Sequence, residues 1–557
     1  MLQQFFIENE ENDLYVMSWL NENPKGVIVI CPPVVKRGIS GIRYYVSQLA
    51  MKYYDRGFSV FAVNYDGLAN SGVSYSFTYN KMLDSIRKLL TYIEDNYANK
   101  VEYIVGIGAG NYGALELGIE CHIEHVTLMN PDFNAVDGMQ NLLKQGIRMQ
   151  ACTLVDGYLE TQYYRMTSNG SDATFTIMNL EEPDTELRFW TAMCGPFFGG
   201  EEEVIPYQFV CDLTGMKMMD KLKQHSDVTI ISWGKEQLEE GYYAAKKVEY
   251  VGKFTNEDYW FKSSILWDDT IDKAVSLVEE STDCVVRANL KFRNISVHGC
   301  AKRECVSVDI RGEQCLGILH SPVKPSDKKF PLIIFEHGLG CDSVGEYGSW
   351  VRLTEKLSQI GFYCYRYDHL GSGVSGGKFE DSLYTGYTDD LKQNLNALMQ
   401  REELEDRKVV ILSWSFGAYI SLLTSEELKD KIAGYVFWSP LLVEGTATSK
   451  VKFFRSESGG YRFPISPLWL NVNYLKEERQ YDFVKMYEKV EKPLLLVTGE
   501  MDNPEFSEAI ARDIVSKNTP EMKHVKVYNT GHCFSEETIN YVINSTIGWL
   551  DSLFGEE

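Results

Sequence analysis

No run of about 18 apolar residues occurs in the 557-residue sequence, so no segment is long and apolar enough to cross a bilayer as a helix. Basic residues are scarce. Lys and Arg number 55 against 79 Asp and Glu, a formal net charge of −24. Such a polyanion is repelled by phosphate backbones and anionic lipid, which argues against general nucleic-acid or membrane-surface binding. The start, MLQQFFIENEENDLYVM, is acidic and has no basic stretch leading into an apolar one, so no signal peptide is expected. The twelve cysteines lack paired spacing: Cys300 and Cys305 form a single C-x4-C with no second pair, and no zinc site is expected. The cluster Cys121 to His125 is read as a loop before a strand, not as a metal site. Scattered thiols without an export signal point to a reducing, cytoplasmic setting.

What is present is the composition of a folded protein, 44% hydrophobic and 24% charged, in a chain too long for one core. The chain repeats itself. In the first half, QQFFIE and LYVMSWL lead to VIVICPPVV, then GFSVFAVNYDGLANSG, VEYIVGIGAGNYGA, HVTLMNPDF and VTIISWGKEQ. In the second, CVSVDIRG and CLGILHSPV lead to PLIIFEHGLG, then GFYCYRYDHLGSGVSGG, KVVILSWSFGAYIS, GYVFWSPLL and PLLLVTGEMD. Short apolar runs alternating with helix-length amphipathic stretches predict βαβ units and a mostly parallel sheet in each half, with antiparallel strands at one edge. The predicted fold class is α/β, in two tandem domains at about 1–280 and 305–557 joined by 281–304. The joining segment is not Gly/Ser-rich, so the halves are expected to pack together. The longer spacing at about 135–225, rich in Met, Tyr and Phe, predicts a helical cap, with a shorter insertion at about 442–490 in the second half.

The second half carries the chemistry. Ser413 to Gly417, S-W-S-F-G, follows a strand and opens a helix, the setting a nucleophile elbow requires. Small residues are needed two before and two after the nucleophile; Ser413 stands where Gly is usual, and Gly417 fits. Ser415 needs a base to take its proton. His532, in NTGHCF after a late strand, can supply an imidazole. Asp502, just past the strand LLLVTGEMD, is the preferred acid, with Glu500 and Glu505 as alternatives. The order Ser415, Asp502, His532 is that of α/β-hydrolases. Oxyanion donors are expected from the backbone N–H of Phe416 and from Leu339 in H-G-L-G (337–340); losing one such donor typically costs about 3–4 kcal/mol. His369 in YDHLG is a pocket-lining candidate, with no direct catalytic role expected because His532 fills the base position. GSGVSGG lacks the G-K-[ST] ending of a phosphate loop and is read as a structural turn.

On EHGLG, YDHLGSGVSGG, SWSFGA, TGEMD and NTGHCF, in that order over about 250 residues, the second half resembles the α/β-hydrolase superfamily, closest to its serine-aminopeptidase-like and cinnamoyl-esterase-like branch. The resemblance implies a Ser-His-Asp acyl-transfer mechanism with a covalent acyl-enzyme; a serine hydrolase acting on a small-molecule or carrier-bound ester or thioester is the leading expectation, with no cofactor or metal because nucleophile, base and oxyanion donors are all protein groups. Transfer of the acyl group to an amine, alcohol or carrier thiol stays open beside hydrolysis, as does a two-lobed binding or scaffold protein; peptidase action is less favoured. Acyl group and oligomeric state are not legible.

The first half resembles a degenerate copy. Its elbow, G-I-G-A-G at Gly106 to Gly110, centres on Gly108, which has no side chain. Gln237 falls where Asp502 does, Asp258 falls near the position of His532, and CPP replaces EHG, removing an N–H. A non-catalytic domain is expected there. GIGAGNYG does not fit a dinucleotide fingerprint and is explained by the repeat.

Overall fold

A computed structural model describes residues 1–34, 37–40, 45–73, 77–96, 101–131, 149–155, 158–162, 188–193, 203–206, 209, 212–213, 218–232, 245–251, 269–278, 291–298, 301–324, 326, 328–443, 454–455, 461–462, 469–534 and 536–555. The chain divides into two compact units, Met1–Arg293 and Asn294–Glu557.

In the first unit β1 (Leu2–Ile7) and β2 (Leu14–Trp19) form a hairpin that leads to β3 (Val27–Cys31), β4 (Ser59–Val63), β5 (Tyr103–Ile107) and β6 (His125–Met129). After an insertion the sheet resumes with β11 (Val228–Ser232) and β12 (Lys247–Tyr250); the insertion holds β7 (Met149–Val155), β8 (Tyr158–Gln162), β9 (Arg188–Met193) and β10 (Glu203–Pro206). The main sheet has the order β1-β2-β4-β3-β5-β6-β11-β12. The pairs β1–β2 and β2–β4 are antiparallel, and the rest of the sheet is parallel. The runs VIVIC, SVFAV and YIVGI are buried throughout, as strands covered on both faces must be.

The helical cap expected at about 135–225 is overturned in its described parts. β7 to β10 form a four-stranded antiparallel sheet of order β10-β9-β7-β8, and the short helix Met218–Leu222 follows. Segments such as YLETQ and RFWTAM carry Tyr, Phe, Trp and Thr, aromatic and β-branched types that favour a strand over a helix.

The second unit repeats the arrangement. β13 (Ile295–His298), β14 (Ala301–Ile310) and β15 (Glu313–Pro322) form antiparallel neighbours. The sheet continues with β16 (Leu332–Glu336), β17 (Tyr363–Tyr367), β18 (Val409–Trp414) and β19 (Ile432–Trp438). The short strands β20 (Phe454–Arg455), β21 (Tyr461–Arg462) and β22 (Trp469–Leu470) make a separate sheet in the second insertion, before β23 (Leu494–Gly499) and β24 (Met522–Val527) complete the main one. Its order is β13-β14-β15-β17-β16-β18-β19-β23-β24. Apart from the extra β13, this is the strand order of the first unit. β16, β18 and β23 are buried throughout, so their carboxyl ends lie in a row above a dry sheet. Trp350, Trp414, Trp438 and Phe534 join the core of the unit, packed with Ile539, Val542 and Ile543 of the terminal helix Glu536–Phe554. Among the described residues no helix is long and apolar enough to cross a membrane.

Candidate active site

Each candidate residue sits where a parallel strand ends. Ser415 follows β18 with φ +51°, a left-handed backbone that a side chain enters only when its surroundings hold it there. Its N–H donates to the Trp438 carbonyl at 2.9 Å, and the helix Gly417–Thr424 departs at once. The close packing of that turn explains the small residues. A Cβ on Gly417 would overlap the Glu336 carbonyl. Ser413 is tolerated at the other flank because its buried hydroxyl has a partner, Ser421 Oγ at 2.5 Å.

His532 lies in the loop after β24 and Asp502 in the loop after β23. The structure brings these two and Ser415 together. His532 Nε2 is 2.9 Å from Ser415 Oγ, and His532 Nδ1 is 3.0 Å from Asp502 Oδ2. A carboxylate only accepts, so Nδ1 carries hydrogen and Nε2 is left to accept from the serine hydroxyl. Asp502 Oδ1 is held by the Asn503 N–H at 2.8 Å. Glu500 instead accepts from the Asn529 N–H, and Glu505 donates its own N–H to Asn503 Oδ1. Among the three acids weighed, Asp502 is the one bonded to His532. The His532 carbonyl in turn receives the Trp414 indole N–H at 3.4 Å. The His532 side chain is 32% exposed and that of Asp502 10%, so the base reaches solvent while its acid is mostly covered.

Leu339 and Phe416 flank the serine. Gly338 packs against the elbow, where a Cβ would lie 3.4 Å from Ser415 Cβ. Among the described residues neither the Leu339 N–H nor the Phe416 N–H donates to a protein acceptor. Two unspent donors beside a nucleophile can receive a negative oxygen.

His369 is not a pocket-lining residue. It is 1% exposed, with Nε2 3.1 Å from Glu336 Oε2 and Nδ1 3.3 Å from Asp390 Oδ2. Burial opposes charge on this imidazole, but the two carboxylates outweigh it and push its pKa up to about 9. Burial raises the Glu336 carboxyl, and His369 and the Tyr367 hydroxyl pull it back. Asp390 is also ion-paired to Arg311 at 2.6 Å. Residue types alone did not mark this group, because Glu336 and Asp390 are 54 positions apart; the one available signal was a glutamate at the end of an otherwise apolar strand.

The glycine-rich run after β17 is a turn wrapped around a carboxylate. Asp368 accepts from the Ser343 N–H at 2.6 Å and the Val374 N–H at 2.8 Å. Gly373, with φ +53°, has no room for a side chain beside Asp368. Burial and the neighbouring Asp342 raise Asp368 to about 6 against the two N–H donors.

In the first unit the elbow turn survives without its nucleophile. Gly108 has φ +55°, and Asn111 Nδ2 bonds the Gly108 and Met129 carbonyls at 2.8 and 2.9 Å. Gln237 and Asp258 lie outside the described residues.

Residues 327–468 match the model of the serine aminopeptidase family, S33. The matched stretch lies within the second unit, from β16 to β21, and supports an α/β-hydrolase-like fold there. No curated protein matches the chain. Similar solved structures include Est1E from Butyrivibrio proteoclasticus, in its form with bound ferulic acid, at 20% identity over 45% of this chain and 100% of that one, with a TM-score of 0.37. A Pyrococcus furiosus esterase is 16% identical over 45% of this chain and 92% of its own, TM-score 0.34. A predicted CIB-like hydrolase from Thermoplasma acidophilum is 17% identical over 45% and 98%, TM-score 0.31.

Proposed function

We propose that the protein is a serine hydrolase that cleaves a carboxylic ester or thioester through Ser415, His532 and Asp502. The observation that carries this reading is His532 standing between the other two, bonded to Ser415 through Nε2 and to Asp502 through Nδ1. Ser415 Oγ attacks the substrate carbonyl carbon while His532 Nε2 takes its proton. Asp502 holds the ring and stabilises the imidazolium. The oxyanion lies between the N–H groups of Leu339 and Phe416. Collapse expels the alcohol or thiol, which leaves with the proton from His532. Water, deprotonated by the same imidazole, then attacks the acyl-enzyme; the acid departs and Ser415 regains its proton. The nucleophile, the base and the oxyanion donors all belong to the chain, so the mechanism calls on no cofactor or metal.

The first unit belongs to this proposal as a non-catalytic domain, supported by glycine at position 108, where no nucleophile can be built. Cytoplasmic residence is proposed on the scattered cysteines of the sequence.

Stopped-flow mixing with p-nitrophenyl esters tests the reading. A rapid burst of one nitrophenolate per protein, followed by slower turnover and absent in Ser415→Ala, is expected. An equal burst from Ser415→Ala would refute it.

A further inference from the structure

Two histidines outside the proposed triad, His337 and His369, lie beneath the loop that carries Leu339. Both are buried, and their rings meet edge to face with centroids 4.7 Å apart. The His369 main-chain N–H donates to His337 Nε2 at 3.1 Å. That bond makes Nε2 an acceptor, so the proton of a neutral His337 sits on Nδ1, which lies 2.8 Å from the Gly338 carbonyl; the Cys341 N–H donates to the same oxygen at 3.1 Å, so His337 is its one side-chain donor among the described residues. The Gly338 carbonyl and the Leu339 N–H belong to one trans peptide, and in a trans peptide these two groups point in opposite directions. Fixing one fixes the other. With Gly338 packed on Ser415, a hold on this carbonyl sets the direction of a candidate oxyanion donor.

The segment bearing His369 is itself anchored. Glu336 and Asp390 clasp its ring from two elements, β16 and the helix Tyr384–Leu398, and Tyr387 packs edge-on at 4.7 Å. Asp390 Oδ2 also receives the Leu370 N–H at 3.0 Å, which pins the main chain beside His369.

The first unit shows that this group is not needed for the fold. Cys31 pairs with Gly106 there as Glu336 pairs with Ser413 here, so Cys31 and Pro32 stand where Glu336 and His337 do. Gly67 follows Tyr65 and Asp66 as His369 follows Tyr367 and Asp368. Ser85 stands as far into the helix Tyr79–Asn96 as Asp390 stands into Tyr384–Leu398. All four positions differ, yet the strand order is kept. The charged group is missing from the unit that lacks the nucleophile.

We propose that His337 is a positioning residue that locks the Gly338–Leu339 peptide with its N–H toward Ser415, and that Glu336, His369 and Asp390 hold His337 in place. This deepens the hydrolase reading and rests on it. A peptide released from the lock can flip, replacing a donor with a carbonyl oxygen that repels the oxyanion.

The test compares wild type, His337→Phe and His337→Asn in the full chain, with kcat and KM for a p-nitrophenyl ester expressed per serine titrated by a fluorophosphonate. The Phe ring has neither donor nor acceptor, and kcat should fall about 100-fold with KM within about threefold, the expected loss of one oxyanion donor. Asn places an amide donor near the Nδ1 position and should recover about tenfold of that loss. If the Phe variant does not accumulate, His337→Gln, whose amide reaches the Nε2 position and leaves the Gly338 carbonyl with the Cys341 N–H alone, takes its place with the same expectation. A kcat within about threefold of wild type in the Phe or Gln variant, even with a lowered melting temperature, overturns the proposal. So does an Asn variant no faster than the one it is meant to rescue. Wild type that neither titrates nor turns over would instead refute the hydrolase reading itself.

Discussion

Gly108 and Ser415 occupy equivalent turns with nearly the same left-handed backbone, φ +55° and +51°. One unit keeps the turn and omits the nucleophile; the other accepts the strain of a side chain there. Adding the hydroxyl alone should not restore chemistry. In the double variant Gly108→Ser/Ser415→Ala, ester turnover should stay at the background of Ser415→Ala, because CPP in the first unit supplies no histidine and loses N–H donors. Turnover above that background would show a second working site.

The bond between His532 and Asp502 predicts a graded loss. Asp502→Asn keeps the shape but can turn an N–H toward His532 Nδ1, which favours the tautomer unable to accept from Ser415. Turnover should drop about 10⁴-fold with folding intact. Glu500→Gln, which disturbs a bond to Asn529 only, should stay within about threefold. Steady-state kinetics on both variants checks this, and equal losses in the two would argue against the assignment of Asp502.

The buried His369 predicts a stability change with pH. Its folded value, about 9, lies above its ordinary 6.5. The native state holds the proton more tightly, so the stabilisation is complete below pH 6.5 and is lost as pH rises toward 9. The stability of wild type relative to His369→Gln should fall across that window. The groups facing the ring are Glu336, Asp390, Tyr367, Tyr387 and His337. Denaturant titrations at several pH values measure the difference, and a flat difference would contradict a buried imidazolium.

Asp368 predicts a dependence at lower pH. Its carboxyl is raised from 3.8 to about 6 by burial and by Asp342, so the folded state favours the protonated form. Stability of wild type relative to Asp368→Asn should therefore decline as pH rises from about 3.8 to 6. The same titrations, extended to acid, check the sign; a rising difference would mean that the two N–H donors outweigh burial.

Much of this was legible in sequence because strands buried on both faces are written as continuous apolar runs. VIVIC, LIIFE, VVILSW and LLLVTG could be read directly, and residues at their carboxyl ends followed. The backbone physics of an elbow singled out Ser415 for the same reason. Met, Tyr and Phe in the insertion of the first unit predict a helical face, but these residue types serve a strand as well, and YLETQ and RFWTAM form β8 and β9 with no clear period to tell the two apart. The clasp on His369 was invisible because its partners come from separate elements and meet only when β16, β17 and the helix Tyr384–Leu398 pack.

The central claim is that His532 makes Ser415 a nucleophile. Wild type, Ser415→Ala and His532→Ala can be exposed to a fluorophosphonate, digested and analysed by peptide mass spectrometry. The account predicts one adduct, on Ser415, in wild type, none on Ser415→Ala, and labelling slowed at least about 100-fold in His532→Ala. An adduct on another residue, or labelling of Ser415 at the wild-type rate without the imidazole, would contradict it.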